Sequence, residues 1–301
     1  MRISEIVSNC NKNFGIYKVI EDVEFDYLGL CSSNLDFSFC TFIDNKNYLN
    51  NISKNANMII TTFEIAKLLS GRGVCISENP RISFFKLHNH LAETKTYKIE
   101  KEFQTQIGVN CNISKLSCIS KKNVSIGNNV TIEEFVSIKE NTSIGDNTII
   151  RAGTVIGGEG FEFKRMLNED ILSVKHIGRT VIGNSVEIQY NTCIDKAIYP
   201  WDKTVIQDNC KIDNLVYIAH GVKIDKGAFL VAGSLIGGRT IINKNSWIGV
   251  GAIVSNGLVI GNNAKVNIGA VATKNVDDNA SVSGNFAVDH NKFIEFIKSI
   301  R

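Results

Sequence analysis

A mainly β chain, built around a parallel β-helix of six-residue repeats, is the fold this sequence predicts. The first observation is a branched aliphatic residue at every sixth position. Ile126, Ile132, Ile138, Ile144, Ile150 and Ile156 form one series, and Ile182, Ile188 and Ile194 form another. From Ile206 the spacing runs through Ile212, Ile218, Ile224, Leu230, Ile236, Ile242 and Ile248 to Val254, Ile260 and Val266. The second observation is a companion column two residues earlier: Val124, Val130, Val136, Thr142, Thr148 and Thr154. The third is the composition of the intervening corners, "IGNNV", "IGDNT", "IGNSV" and "IGNNA", where Gly, Asn and Asp tolerate left-handed backbone. A period of six is neither that of an α-helix nor that of an amphipathic strand. It is the period of a hexapeptide β-helix, in which each hexad supplies one short strand and one corner. Three hexads close a coil of about 18 residues, so the inward aliphatics stack in three columns. Stacked β-hairpins would not hold one register for so long.

Residues 1–102 lack the repeat. "FSFCTFIDNKNYL", "NANMIITT" and "GVCISENPRISFFKLHNHLAE" mix strand-like and helix-like runs, which predicts a small α/β domain. The coil domain spans 103–285. Its first members, Ile107, Ile113 and Ile119, are offset by one residue. The pattern lapses between Ile156 and Ile182, in "GGEGFEFKRMLNEDILSVKHIGRTV". A solenoid can eject such a loop without losing register, and Phe161, Phe163 and Met166 there either pack locally or wall a pocket. Pro200 marks the one clear break in the later register. In 286–301, Phe293, Phe296, Ile297 and Ile300 fall at helical spacing, which predicts a short terminal helix.

Composition narrows the class. The chain has 301 residues, 44% hydrophobic and 21% charged, which is ordinary for a globular protein. A net charge of +3 is too small to argue for a nucleic-acid partner. No apolar run approaches the roughly 20 residues of a membrane span. The start, "MRISEIVSNCNKNFGIYKV", has no signal-peptide core, so a cytoplasmic protein is expected. Cys10, Cys31, Cys40, Cys75, Cys111, Cys118, Cys193 and Cys210 are scattered, and none forms a C-x-x-C pair. Reduced thiols and no zinc site are the simplest reading.

One residue stands out in the repeat: His220, in "YIAHG". Stacking at about 18 residues places Gly238 one coil above it, Asn256 two above, and Asp202 one below. A neutral imidazole suits proton abstraction from an attacking amine. A glycine N–H, unshielded by a side chain, suits the oxyanion of a tetrahedral intermediate. A solvent-facing histidine is the plain alternative. A metal enzyme on this coil would need histidines in adjacent coils. Only His220 lies in the regular repeat; His176 is in the loop, and His88, His90 and His290 lie outside it.

"VEIQYNTCIDKAI", "TVIQDNCKIDNLVYIAH" and "GGEGFEF" resemble the repeat-domain motifs of the UDP-3-O-acylglucosamine N-acyltransferases of lipid A synthesis, and "FIDNKNYL" with "ENPRISFFKL" resembles that family's uridine-binding domain. The resemblance implies a homotrimer of left-handed β-helices with active sites between subunits; the handedness rests on it alone. It implies His220 as catalytic base and Gly238 as oxyanion donor. Asp213 and Asn214 would line the acceptor site, Phe42 and Tyr48 would sandwich uracil, and Asn45 would hydrogen-bond it. The implied reaction moves an acyl group from the phosphopantetheine of acyl carrier protein to the amine of a UDP-linked glucosamine, with no bound cofactor. Basic Arg239, Lys244 and Lys274 would meet the acidic carrier, and Phe161, Phe163 or Trp201 would wall an acyl groove. There are departures from the family pattern. "CIDRG" reads "CIDKA" with Lys196, "IYPWDKTV" is about two residues longer, and the "IAHN" asparagine is Gly221. They keep open an acetyl-CoA-dependent N-acetyltransferase of a nucleotide-linked amino sugar, and a non-catalytic scaffold.

Overall fold

The computed structural model describes residues 1–9, 13–97, 101–166, 170–284 and 286–300, so Cys10 lies outside the described residues. The chain divides into two compact units. One comprises Met1–Lys101, Phe161–Ile177 and Ile198–Trp201; the other comprises Glu102–Gly160, Gly178–Ala197 and Asp202–Arg301.

The second unit is a parallel β-solenoid. Its strands are two to four residues long and form three sheets of nine, eight and eight strands. Each strand pairs in parallel with its counterpart one coil away: Ile132 with Ile150, Ile224 with Ile242, Ile236 with Val254. The six-residue aliphatics from Ile126 to Val266 are buried in one continuous core. The companion column is buried too, and two of its three threonines use their hydroxyls, while Thr142 Oγ1 is buried without a hydrogen-bond partner among the described residues. Thr148 Oγ1 donates to Gly183 O and Thr154 Oγ1 to Gln189 O, both at 2.9 Å, tying coils together from within. The offset of the first series is one extra residue in the first coil. Ile107, Ile113 and Ile119 pair with Ile126, Ile132 and Ile138, 19 positions on.

At the corners, Asn and Asp divide the work. Ten of the fourteen described non-glycine residues at positive φ are asparagines, and none is an aspartate. The aspartates cap instead. Asp146 Oδ1 accepts the Asn128 N–H at 2.6 Å, and Asp208 Oδ1 accepts that of Asn184 at 2.7 Å. The sequence expectation of left-handed aspartates is thus corrected: a carboxylate gains more from a charge-assisted bond to the adjacent coil.

The register survives both excursions. Ile150 pairs with Ile188 and Ile156 with Ile194, across the loop after residue 156. Ile182 pairs with Ile206 and Ile194 with Ile218, across the segment holding Pro200. After these the ordinary spacing returns. The helix His290–Ser299 is capped by Asp289, whose Oδ1 accepts from Asn291 N–H at 3.1 Å; Phe293 and Phe296 are exposed on it.

The first unit is an α/β layer. Its strands run in the order Ile16–Glu21, Gly73–Ser77, Ala56–Thr61, Phe39–Ile43 and Tyr27–Leu28, all parallel except the first. The helix Pro80–Leu91 starts with proline in its first turn and with Asn79 as cap, its Oδ1 accepting from Ile82 N–H at 3.2 Å. Val174, Ile198 and Tyr199, contributed by the two excursions, share the core with Leu28, Phe84 and Leu87. Tyr199 stacks on Trp201 at 5.3 Å and 2°, and Trp201 Nε1 donates to Leu28 O at 2.8 Å. Trp201, half-buried, is thus engaged inside this unit. Phe161 is exposed, and Phe163 sits in the small hairpin Phe163–Arg165 with Ile171–Ser173. All described cysteines are free thiols, with Cys40, Cys75 and Cys210 buried. Among the described residues no helix is long and apolar enough to cross a membrane.

Two predictions follow from packing. Ile218→Ala removes a fully buried column member and is expected to cost about 2–5 kcal/mol in denaturant melts. His88 is fully buried, with Nε2 at 2.8 Å from Lys175 O; burial pushes its pKa down to about 4. The unfolded chain takes up a proton near the ordinary 6.5 and the native site resists until about 4. Stability is thus complete above about 6.5 and falls as pH drops through that window, by on the order of 3 kcal/mol. Melts of wild type and His88→Gln between pH 7.5 and 4 test this; the slope is expected to flatten in the variant.

Candidate active site

His220 lies in a corner of the solenoid, between strands Tyr217–Ile218 and Lys223–Ile224 of two adjoining sheets. The backbone holds it from both sides. His220 O accepts the Arg239 N–H at 3.0 Å, and the Gly221 N–H donates to Thr204 Oγ1 at 2.8 Å. Gly221 has φ +70°, a conformation that glycine or asparagine takes readily.

Gly238 is pressed against the imidazole. A Cβ on it would sit 2.9 Å from His220 Nε2 and 3.0 Å from Cε1. Gly238 has no positive φ, so what requires glycine here is close approach rather than backbone freedom. Gly238 O accepts the Gly257 N–H at 2.9 Å; among the described residues nothing accepts from the Gly238 N–H itself.

Below His220 the simple stacking rule fails, for a geometric reason. Extra residues between Ile194 and Ile206 lengthen the count along the chain, so Ile218, in the strand before His220, pairs with Ile194, 24 positions back rather than 18. Asp195, one residue beyond the strand position that pairs with Ile218, is a carboxylate on which His220 acts electrostatically. Asp202 instead accepts from Lys223 Nζ at 2.9 Å. Asp195 is only 6% exposed, and its Oδ2 accepts the Tyr217 hydroxyl at 2.6 Å. Burial raises the Asp195 pKa, while the Tyr217 bond and His220 work in the opposite direction. Burial, then the bond to Asp195, push the Tyr217 phenol well above its usual range. Neither Asp195 nor Tyr217 was singled out from the sequence; the in-register pairing Cys193–Tyr217 and Ile194–Ile218 is the signal that joins them.

The "GGEG" and "CIDKA" motifs meet one coil lower. Lys196 N–H donates to Gly158 O at 2.9 Å, and Lys196 Nζ lies 3.6 Å from Glu159. A Cβ on Gly158 would touch Asp195 Oδ1 at 3.4 Å. A cleft of about 510 Å³ opens there, lined by Cys118, Lys139, Glu140, Glu159 and Lys196.

Asp213 and Asn214 occupy a different corner, after strand Lys211–Ile212 of the nine-stranded sheet. One chain does not bring them to His220. Both side chains serve the corner. Asp213 accepts from Asn214 and Ala232 N–H at 2.7 and 3.1 Å, and Asn214 Oδ1 accepts from Tyr190 N–H at 3.1 Å. Asp213 also edges a groove of about 320 Å³ with Gln189, Lys211, Phe229 and Trp247.

In the first unit, Phe42 and Asn45 fall at the carboxyl end of the parallel strand Phe39–Ile43, where α/β sheets commonly bind ligands. Phe42 is half-buried, with Phe84 and Phe85 at 5.1 and 6.1 Å between ring centroids. Asn45 caps the 3₁₀ turn Lys46–Asn51, its Oδ1 accepting from Asn47 N–H at 2.9 Å. Tyr48, 49% exposed, sits on that turn. A neighbouring cleft of about 260 Å³, lined by Asp44, Asn79, Arg81, Lys164 and Arg165, adds charged groups that the sequence reading did not single out.

The contact between Gly238 and the ring makes a prediction. Gly238→Ala is expected to displace the imidazole, since a side-chain end yields before backbone does. The His220 ring resonances should move in a ¹H–¹³C spectrum while the thermal midpoint changes little.

Comparison with known proteins fits this geometry. The family model "Bacterial transferase hexapeptide (six repeats)" matches residues 123–158 and 203–238. The chain is 49% identical over 85 residues to UDP-3-O-acylglucosamine N-acyltransferase 2 of Legionella pneumophila (strain Philadelphia 1), covering 28% of this chain and 24% of the relative. It is 47% identical over 89 residues to UDP-3-O-acylglucosamine N-acyltransferase of Rickettsia akari, covering 29% and 24%. The match thus spans about a quarter of these relatives' length. Among solved structures, UDP-N-acetylglucosamine acyltransferase from Campylobacter jejuni is similar at TM-score 0.55 and 19% identity, over 65% of this chain and 79% of that one. The corresponding enzyme from Bacteroides fragilis is similar at TM-score 0.54 and 21% identity, over 67% and 75%. These two likenesses establish the solenoid fold. The chain carries bacterial transferase hexapeptide repeats, and over 85 to 89 residues it is a sequence relative of the UDP-3-O-acylglucosamine N-acyltransferases.

Proposed function

We propose that this chain is an N-acyltransferase that moves an acyl group, of the 3-hydroxyacyl class, from acyl carrier protein to the amine of a UDP-linked glucosamine derivative. The observation that carries the reading is His220 held in its corner with its ring against Gly238, on a coil related to N-acyltransferases. The acceptor amine attacks the thioester carbonyl carbon, and a C–N bond forms. His220 takes the amine proton, and the Gly238 N–H stabilises the oxyanion. Collapse breaks the C–S bond, and the imidazolium returns its proton to the leaving thiolate. No bound cofactor or metal enters this sequence, and phosphopantetheine arrives with the donor.

Phe42 and Tyr48 would hold the uracil faces and Asn45 its edge. Asp213 and Asn214 would line the acceptor site from a neighbouring copy in a homotrimer. Support for the neighbour is that these two residues sit at a different corner from His220 in their own chain. Outward apolar residues, among them Leu235, Ile253 and Val271 of one sheet, give such copies a surface to bury. Arg239, Lys244 and Lys274 supply cations for an acidic carrier. The enzyme would act in the cytoplasm.

The test is a donor panel on purified protein with UDP-linked amino sugars: acyl and 3-hydroxyacyl carrier-protein thioesters of several lengths beside acetyl-CoA. Turnover with a long-chain carrier donor, lowered about 10²–10⁴-fold in His220→Ala, is expected. Turnover with acetyl-CoA alone would replace the proposal with N-acetylation of a nucleotide-linked sugar. No turnover with any donor would favour the scaffold reading.

A further inference from the structure

We propose that Asp195 and Tyr217 form a buried carboxylate–phenol pair that positions His220 for proton transfer. This rests on His220 being the base, and it gives a role to two residues that lie inside the quoted motifs but were assigned none there. Three observations carry it. Asp195 is among the few buried charged side chains of the solenoid, at 6% exposed, and a buried carboxylate requires compensation. Its Oδ2 is taken by the Tyr217 hydroxyl at 2.6 Å, a charge-assisted bond that favours the ionised form. Its remaining interaction is with His220, and both lie in the same corner because Ile194 pairs with Ile218.

The chemistry follows. Before reaction the pair is a carboxylate held by a phenol. As His220 takes the amine proton, the imidazolium forms beside a fixed negative charge in a partly dry corner, where the attraction exceeds its value in water. When the thiolate leaves with that proton, the corner returns to its starting state. Asp195 exchanges no proton in the cycle, and Tyr217 keeps it ionised and oriented. Both are positioning residues. Lys196, in register with His220, is paired with Glu159 at 3.6 Å, and the remaining charged groups of the corner lie toward Gly221. Arg239 is on the coil above, its Cγ 3.3 Å from a Cβ on Gly221, and Asp202 is paired with Lys223. That second pair is locally neutral, which leaves Asp195 to complement the imidazolium. The arrangement comes from the register itself, because the strand Cys193–Asp195 pairs in parallel with Tyr217–Ile218.

The experiment compares wild type, Asp195→Asn and Tyr217→Phe, both near-isosteric, with His220→Ala as reference. The first readout needs no substrate: an NMR titration of the His220 ring, identified among the five histidines by its loss in His220→Ala. Removing the carboxylate charge is expected to lower the His220 midpoint in Asp195→Asn. Removing the phenol that shares that charge is expected to raise it in Tyr217→Phe. The second readout is turnover with the donor identified above. Asp195→Asn is expected to lower kcat about ten- to a hundredfold with KM changed less than about threefold, within the loss caused by removing the base. Midpoints and kcat unmoved in both variants would overturn the pair's role while leaving His220 as base. Full activity in His220→Ala would instead overturn the base assignment, and the titration would still report whether the pair acts on the ring.

Discussion

Parallel pairing of each two-residue strand with its copy one coil away is the constraint on which the solenoid rests. A strand of two residues has almost no stability alone; it persists because the same aliphatic recurs above and below it. Ile212 on Leu230 on Ile248 is one such column, with Ile218 on Ile236 on Val254 and Ile224 on Ile242 on Ile260 as its companions. The pairing brings like aliphatic residues into contact, so anything inserted must leave the coil at a corner and return in register. Both excursions do so, and their apolar residues Val174, Ile198 and Tyr199 are spent in the core of the α/β unit.

The same constraint explains where chemistry is possible. Positions inside the coil are filled, and positions along the sheets repeat from coil to coil. Corners are the irregular places, where asparagine and glycine take left-handed backbone and side chains escape the columns. His220 occupies a corner with Gly238 against its ring. Glycine admits the ring to close approach, and the register brings the Cys193–Asp195 strand against the one that leads to His220.

Electrostatically this corner is the unusual part of the solenoid. Elsewhere its charges sit at the rim, as where Arg151 bridges Glu133 and Glu187 across coils at 2.8 and 2.9 Å. That network is partly solvated, and each bridge contributes little. Asp195 is withdrawn from water and keeps two partners that favour its charge. Desolvation and hydrogen bonding oppose one another there, which is the usual means of tuning a site.

From the sequence alone the solenoid was legible, because a six-residue aliphatic period has one simple packing solution. The terminal helix was legible from its 3.6 period, and the contact of His220 with Gly238 from their 18-residue separation. Asp195 and Tyr217 were not, because their contact depends on how many residues the insertion removes from the stack, and spacing counted along the chain passes over that. The roles of Asp213 and Asn214 as corner caps, and the commitment of Trp201 to the α/β core, were likewise decided by tertiary packing. Periodicity determines which residues face inward; only the closed coil determines which strands an insertion leaves paired, and so which carboxylate shares a hydrogen bond with Tyr217.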